Sequence, residues 1–273
     1  MKYDPIKRSL GRVFNKTPWL RKLFYRLLDL LLLRAWYVKR ELRALKGRRD
    51  EPLRVLDAGS GFGQYTWYLY RLGRAWQIDA LDVKEEQIAD CRQFFSTFDR
   101  EGRVHFAVGD LTRLEAEERY DLILCVDVME HIEEDEKVFA NFRRALKPGG
   151  MVLISTPSDQ GGSDVHDHDE ESFIDEHVRD GYNIEEIQEK LRKAGFAATE
   201  AYYSYGKPGQ LAWRLSMKIP ILMLNVSKIF FVVLPFYYLL TYPFALVLNL
   251  MDMQGKHKSG TGLVVKGKGK VEG

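Results

Sequence analysis

The chain has 273 residues, of which 45% are hydrophobic and 29% are charged, as in an ordinary globular protein rather than a disordered or collagen-like one. This length suffices for one complete α/β domain with additions. The net charge of +2 says little alone because it is unevenly distributed, and two cysteines, Cys91 and Cys125, offer neither a disulfide framework nor a metal-ligand spacing, which fits a reducing cytoplasm.

Residues 1–50 are predicted to form basic amphipathic helices. Apolar and basic positions alternate at helical spacing through residues 18–33. Asp29 interrupts the apolar stretch and no small-residue cleavage site follows it, so we expect no signal peptide. A basic arm can contact nucleic acid or an anionic lipid surface, and the interleaved apolar residues favour lipid.

Residues 51–206 alternate strand and helix patterns and are predicted to form the core domain. Short buried strands that alternate with amphipathic helices favour an α/β, doubly wound and mainly parallel sheet. The predicted strands are 53–57, 76–82, 104–108, 122–127, 151–156 and 197–205. The predicted helices are 64–72, 85–98, 135–146 and 184–194.

The most informative motif follows the first predicted strand, where Asp57 precedes Gly59, Gly61 and Gly63. Glycines let a backbone turn sharply and approach a ligand, and the N-terminus of the helix that follows favours an anionic group. The spacing is Gly-x-Gly-x-Gly, whereas a dinucleotide-binding loop has Gly-x-Gly-x-x-Gly. A nicotinamide cofactor is therefore not expected.

This motif and four later segments resemble, in the same order, the class I (Rossmann-like) S-adenosylmethionine-dependent methyltransferases. The matching segments end the second, third and fourth strands and form the turn and strand at 146–156. The resemblance covers about residues 50–205 plus the last strand and implies a seven-stranded sheet and S-adenosylmethionine as cofactor. It places the ribose hydroxyls at Asp82, the adenine at Asp110, and further cofactor contacts at Val83, Leu111 and Asp127.

Within that resemblance, Asp57 is expected to orient the glycine loop and to hold the cofactor ammonium, directly or through water. Asp82, Asp110 and Asp127 could instead merely cap turns and helices. A helix before the first strand often folds over the cofactor in this family. Residues 35–42 are the candidate, and Tyr37 and Arg40 would close the site. The alternative is an outer helix that packs Trp36 and Leu42 on the sheet.

Methyl transfer from a sulfonium needs alignment of the acceptor, and a general base only where the acceptor must lose a proton. One candidate base is Glu130-His131, of which we favour His131. The other is the acidic, histidine-rich loop that contains His166, His168 and His177, of which we favour His177. A metal site in this loop is the less common outcome for such a sequence, and none is predicted.

Residues 207–259 are predicted to form an apolar insertion that associates with a membrane. Residues 229–251 carry no charge and would be about 35 Å long as one helix, but Pro235 and Pro243 are expected to kink or split it. The strands at 197–205 and 262–266 flank the insertion and belong to one sheet, so an odd number of crossings is excluded. A re-entrant or in-plane helix pair is expected, and a hydrophobic cap or a dimer interface is the alternative.

Residues 260–273 are predicted to supply the last strand and a tail. The combined expectation is a peripheral or monotopic enzyme on the cytoplasmic face of a membrane. It would methylate a lipid, a quinone-like compound or another lipophilic acceptor, without a nucleic-acid partner. The alternatives are a soluble methyltransferase for a small molecule with a hydrophobic cap over its site, and a catalytically silent membrane adaptor on the same scaffold. The acceptor, the methylated atom and the oligomeric state do not follow from the sequence.

Overall fold

The computed structural model describes residues 17–48, 51–161, 178–227 and 229–270. Its strands are β1 Arg54–Ala58, β2 Gln77–Asp82, β3 Val104–Val108, β4 Tyr120–Val126, β5 Leu146–Pro157, β6 Ala198–Ser204 and β7 Gly262–Lys268. Its α-helices are α1 Pro18–Leu31, α2 Leu33–Arg48, α3 Gln64–Leu72, α4 Glu85–Ser96, α5 Asp135–Ala145, α6 Ile184–Lys193, α7 Lys207–Trp213, α8 Ile219–Val226 and α9 Phe230–Gln254.

The seven strands form one sheet in the order β3-β2-β1-β4-β5-β7-β6. Strands β1 to β5 pair in parallel, and β7 lies antiparallel between β5 and β6. This confirms the predicted seven-stranded, mainly parallel Rossmann-like sheet. In such sheets ligands bind beyond the carboxyl ends of the strands, on both sides of the point where the strand order reverses. Here that point lies between β1 and β4.

Alternating residues of each strand bury opposite faces of the sheet. In β1, Leu56 and Ala58 pack in one core with α5 and α6, whereas Val55 packs in a second core with α2 and α3. A third cluster joins Tyr25 of α1 to the phenylalanines of α4. Because residues of α1 and α2 belong to these clusters, both helices are parts of the folded domain. Both cysteines are free and buried.

An apolar helical hairpin leaves the sheet after β6 and returns to β7. Its first arm runs through α7, a π-helical turn at Arg214–Lys218 and α8, and its second arm is α9. The Tyr237 hydroxyl donates to the Leu215 carbonyl at 2.7 Å and the Tyr238 hydroxyl to the Ser216 carbonyl at 2.8 Å. The Gly209 amide, earlier in the first arm, donates to Asp252 Oδ2, later in the second arm, at 2.9 Å. The two arms therefore run antiparallel. We call these two arms the hairpin.

Helix α9 corrects one expectation, because its 25 residues form a continuous helix with Pro235 and Pro243 inside it. The cross-arm bonds of Tyr237 and Tyr238 join the segment between the two prolines to the first arm. Within the described residues, α9 is the one helix long and apolar enough to cross a membrane, and only 6% of its most apolar stretch is buried.

Candidate active site

The glycine loop between β1 and α3 folds tightly against the end of β2. The amides of Gly59 and Ser60 both donate to the Leu81 carbonyl at 2.8 Å. Gly59, Gly61 and Gly63 have φ values of 81°, 52° and 82°, which favour glycine. A Cβ on Gly59 would lie 2.2 Å from Val128 Cγ2, so this position also lacks room for a side chain.

Asp82, at the end of β2, holds this loop through its carboxylate. Its Oδ2 accepts from the Gly61 amide at 2.8 Å and its Oδ1 accepts from the Lys84 amide at 2.9 Å. A carboxylate has about four lone-pair sites, so two further donors can be accepted. The structure therefore places Asp82 against the glycine loop and leaves it capacity for ligand hydroxyls.

Asp57, at the end of β1, is buried beneath the loop. The Thr66 hydroxyl of α3 donates to its Oδ2 at 2.5 Å, so this carboxyl joins β1 to α3. Burial raises the pKa of Asp57 to about 7, the Thr66 hydrogen bond opposes the rise, and the Asp82 charge adds to it. Asp57 is thus a supporting group below the loop.

Asp110 caps a short 3₁₀ turn at Leu111–Arg113 after β3. Its Oδ1 accepts from the Thr112 amide and the Thr112 hydroxyl, both at 2.8 Å, and these bonds lower the pKa of Asp110. The Leu111 side chain is buried in the core and its carbonyl accepts from Asn141 Nδ2 at 2.9 Å, whereas Val83 is exposed beside Asp82. The cofactor contacts of all three residues stay predictions.

Two hydroxyls at the loop are buried without a partner in the described part of the chain. They belong to Ser60, inside the loop, and Tyr65, in the first turn of α3. Burial raises the pKa of Tyr65, so this phenol stays protonated and is a hydrogen-bond donor. Orphaned buried polar groups are costly and commonly mark a ligand site. With the tight glycine loop, they fit a polar ligand such as the amino-acid end of S-adenosylmethionine.

Helix α1 covers the glycine loop. Thr17 caps this helix and Pro18 occupies its first turn, both typical of a helix start. The Phe62 carbonyl, between Gly61 and Gly63, accepts from Arg21 Nη2 at 2.7 Å and from the Tyr25 hydroxyl at 2.5 Å. Gln64 Nε2 donates to Asp29 Oδ1 of the same helix at 2.8 Å.

The structure corrects the expectation that Tyr37 and Arg40 close the cofactor site. The Tyr37 hydroxyl donates to Asp252 Oδ1 at 2.7 Å, and Arg40 Nη1 donates to the Met253 carbonyl at 2.8 Å. Both side chains therefore join α2 to the end of α9 instead of closing the glycine loop. Sequence reasoning missed Arg21 and Tyr25, because the helical periodicity of α1 gave no sign of which surface it would cover.

A cavity of about 110 Å³ lies beside the glycine loop at the carboxyl edge of the sheet. Arg34, at the start of α2, forms an ion pair in it with Asp127. Asp127 and Tyr205 have φ values of 52° and 54°, which non-glycine residues rarely adopt and which often mark functional sites. The remaining walls come from β5, the end of β6, the start of β7 and the base of the hairpin, including Ser155, Thr156, Pro157, Ser204, Gln210, Trp213, Arg214, Thr261 and Gly262.

The candidate bases after β4 differ in position. Glu130 is buried, and its Oε2 accepts from the Thr156 hydroxyl at 3.1 Å. Burial and then the Asp127 charge raise the pKa of Glu130 to about 8. His131 ends a 3₁₀ turn and is half-buried. Within the described residues, no three or more His, Cys, Asp or Glu side chains group as metal ligands.

His166, His168 and His177 lie outside the described residues. The predicted acceptor contact of His177 therefore stays a prediction.

Residues 55–150 match the family model of the methyltransferase domain. The ubiquinone biosynthesis O-methyltransferase of Rickettsia akari (strain Hartford) is 27% identical over 126 residues, which are 45% of this chain and 48% of that protein. The malonyl-[acyl-carrier protein] O-methyltransferase of Halalkalibacterium halodurans is 27% identical over 173 residues, which are 59% of each chain. The matches thus span between about half and three fifths of these curated relatives.

A solved structure supports the fold. The phosphoethanolamine N-methyltransferase 2 of Haemonchus contortus, in complex with S-adenosylmethionine, superposes with a TM-score of 0.57 at 21% identity. The superposition covers 85% of this chain and 52% of that one. At this identity the likeness shows a shared Rossmann-like architecture.

Proposed function

This chain belongs to the class I, Rossmann-like family of S-adenosylmethionine-dependent methyltransferases, and from that membership we propose that it methylates a lipophilic or amphiphilic acceptor at a membrane surface. The observation that carries the proposal is the position of the cavity. Its walls include Asp127 at the end of β4 on one side and Gln210, Trp213 and Arg214 at the hairpin base on the other. The acceptor site and the apolar hairpin thus share one wall.

S-adenosylmethionine, when bound, supplies a methyl group on a sulfonium. We assign its amino-acid end to the loop of Gly59, Gly61 and Gly63, with the Ser60 hydroxyl as a donor and Asp57 beneath. The ribose hydroxyls are assigned to Asp82 beside Val83. The adenine is assigned to Asp110 and the Leu111 backbone, because both follow the neighbouring strand β3. Helix α1 excludes water from the loop, which favours charge interactions within it.

The residues around the cavity can orient an acceptor and take up its proton. Asp127 stays a proposed cofactor contact, and because its ion pair with Arg34 lies in the cavity wall, we assign both side chains to positioning as well. Where the acceptor must lose a proton, His131 is the proposed base, and the buried Glu130 carboxyl behind it is a second. His177 is proposed as an acceptor contact from the loop after β5.

The surface of the hairpin supports membrane association. Its outer half, residues 219–236, exposes eight large apolar side chains: Ile219, Leu222, Val226, Ile229, Phe231, Val232, Val233 and Phe236. A patch of this kind marks a protein or membrane contact. Because both arms start and end on one sheet, we propose a monotopic protein on the cytoplasmic face. The curated relative from Rickettsia akari has ubiquinone biosynthesis in its name, which agrees with a quinone-like acceptor.

The test replaces residues 219–236 with a short Gly-Ser linker. This variant keeps the cross-arm bonds of Tyr237 and Tyr238 and the whole cavity. With S-adenosylmethionine labelled in its methyl group, full-length protein should label a component of membrane lipid extract incorporated in vesicles. The variant should bind cofactor equally well and lose most of this labelling.

Label that stays in the aqueous fraction for both proteins would instead support a soluble small-molecule acceptor. Absence of cofactor binding in both proteins would support a silent adaptor. Either result contradicts the proposal.

A further inference from the structure

An open apolar groove of about 610 Å³ lies between the two arms of the hairpin, close to its base. We propose that this groove binds the hydrocarbon chain of the acceptor, while the polar head that receives the methyl group occupies the cavity. The inference rests on the proposed function for the identity of the head. The groove is lined by Leu211 and Leu215 of the first arm and by Leu240, Phe244, Val247 and Leu248 of the second.

The first arm relates the groove to the cavity. An α-helix turns about 100° per residue, so Gln210, Trp213 and Arg214 share one side of this arm, and these residues line the cavity. Leu211 and Leu215 point about 120° away and line the groove. An amphiphile could therefore follow adjacent faces of one arm from the cavity to the groove.

The third face of the same arm is buried. Gly209, Ala212 and Ser216 face the protein, and a Cβ on Gly209 would lie 2.7 Å from both Asp252 Oδ2 and Leu33 Cδ2. The Gly209 amide donates to Asp252 Oδ2 at 2.9 Å, which holds the arm at a fixed distance from α9. The groove between the arms therefore lies close to a contact that fixes the spacing of the two arms.

The cavity and the groove differ in polarity. The cavity has charged and hydroxyl groups, including Arg34, Asp127 and Thr156. Among the described residues that line the groove, Thr241 is the one with a polar side chain, and its hydroxyl donates to the Tyr237 carbonyl of its own helix at 2.9 Å. Thr241 therefore does not need a polar ligand. The π-helical turn begins at Arg214, next to both spaces, and such turns often occur at functional sites.

The test measures chain binding without cofactor or turnover. Full-length protein in amphipol is titrated with stearic acid that carries a nitroxide, and the immobilised fraction is counted by electron paramagnetic resonance. Unlabelled fatty acids of increasing length then compete. Affinity should rise about fourfold per buried methylene and reach a plateau once the groove is full. Partition into amphipol or lipid alone would rise with length without a plateau, which overturns the proposal.

Two matched pairs of variants locate the site. Phe244 in the groove and Phe236 outside it are both 68% exposed, and Leu211 and Leu222 are 48% and 41% exposed. Phe244→Asn and Leu211→Asn should weaken binding at least tenfold. Phe236→Asn and Leu222→Asn should leave it unchanged.

Equal effects in both members of a pair overturn the proposal. So does a dimer that Phe244→Asn dissociates without any change in chain binding, because the groove would then be covered by a second copy. Failure of methyl transfer alone, with chain binding intact, contradicts the proposed function and leaves the groove assignment in place.

Discussion

Asp82 combines two tasks in one carboxylate. It already accepts from the Gly61 and Lys84 amides, so it shapes the glycine loop before any ligand arrives. A ribose that binds there would meet a carboxylate whose position is fixed by the backbone, which lowers the entropy lost on binding. Replacement of this residue should therefore affect both the loop and the ligand.

Asp82→Ala should weaken S-adenosylmethionine binding by about 1.5–3 kcal/mol, because it removes hydrogen bonds to a charged group. Isothermal titration calorimetry measures the loss. The control is Asp121→Ala, since Asp121 also accepts a backbone amide, that of Arg54 at 2.7 Å, at the opposite edge of the sheet. That variant should lose stability and retain affinity. Unchanged affinity in Asp82→Ala would refute the assignment.

Asp57 should make stability depend on pH. Its pKa is about 7 in the fold and near 3.8 in the unfolded chain, so between these values the unfolded chain releases a proton that the fold retains. This contribution therefore favours the fold below pH 3.8 and is lost as the pH rises towards 7. Asp57→Asn removes it.

Urea unfolding at pH 4 to 8 compares Asp57→Asn with the parent protein. The free energy of unfolding of the variant, relative to that of the parent, should increase by up to about 1.4 kcal/mol per pH unit between pH 4 and 7. The difference should then stay constant at higher pH. Parallel stability curves over this range would show that Asp57 is ionised in the fold.

Helices α1 and α2 show how a local pattern can predict an element and miss its partner. Helix α1 contacts the glycine loop through Arg21 and Tyr25, whereas α2 anchors the hairpin through Tyr37. Residues Tyr37 and Asp252 are 215 positions apart, and helical periodicity contains no information on contacts at that range. The central strands β1 and β4 were predictable because each is a short buried run next to a turn signal.

The hairpin was predictable as an apolar insertion but not in its detailed form. Composition identifies residues 229–251 as apolar, and proline normally interrupts a helix. In the folded protein α9 is continuous through both prolines, and two tyrosine hydroxyls bond it to the other arm, contacts that depend on the tertiary structure. The orphaned hydroxyls of Ser60 and Tyr65 likewise exist only once the chain is folded.

Tyr25→Phe tests whether α1 supports the cofactor loop. It removes the hydroxyl that donates to the Phe62 carbonyl at 2.5 Å and accepts from Arg21 Nε at 2.7 Å, and it keeps the ring stacked on Phe62. Only the bond to Phe62 belongs to the glycine loop itself. Cofactor affinity should fall about fivefold, the equivalent of about 1 kcal/mol for one hydrogen bond. Amides of the glycine loop should also exchange hydrogen faster.

The control for that variant is Tyr68→Phe. The Tyr68 hydroxyl accepts from Arg43 at 3.1 Å at an exposed site away from the loop. Tyr68→Phe should alter neither the affinity for the cofactor nor the hydrogen exchange of the glycine-loop amides. An equal response of the two variants would mean that α1 packs on the domain without supporting the loop.

At the scale of the whole molecule, the hairpin and the basic N-terminal segment would bind a membrane by different forces. Burial of the apolar hairpin is insensitive to salt, whereas each Lys or Arg near anionic lipid contributes about 1 kcal/mol that salt screens. The relative importance of the two forces can therefore be separated by ionic strength.

Flotation with vesicles of anionic lipid tests this separation. Full-length protein should stay bound in 1 M salt, where the screening length is about 3 Å. The variant that lacks residues 219–236 should bind at low salt and be released by high salt. Full release of the parent protein by salt would contradict an inserted hairpin. So would cleavage in sealed vesicles by protease confined to the lumen, because a monotopic chain exposes nothing there.

Strand β7 lies between β5 and β6 but follows the whole hairpin in the chain. During synthesis, the edges of β5 and β6 that pair with β7 therefore stay unpaired until the hairpin has been synthesised. Pairings between distant parts of a chain form slowly, and open strand edges promote aggregation. Early capture of the hairpin by a membrane would keep these edges near a surface while β7 arrives. If the hairpin binds a membrane as proposed, the order of segments would make assembly at the bilayer less prone to aggregation than assembly in bulk water.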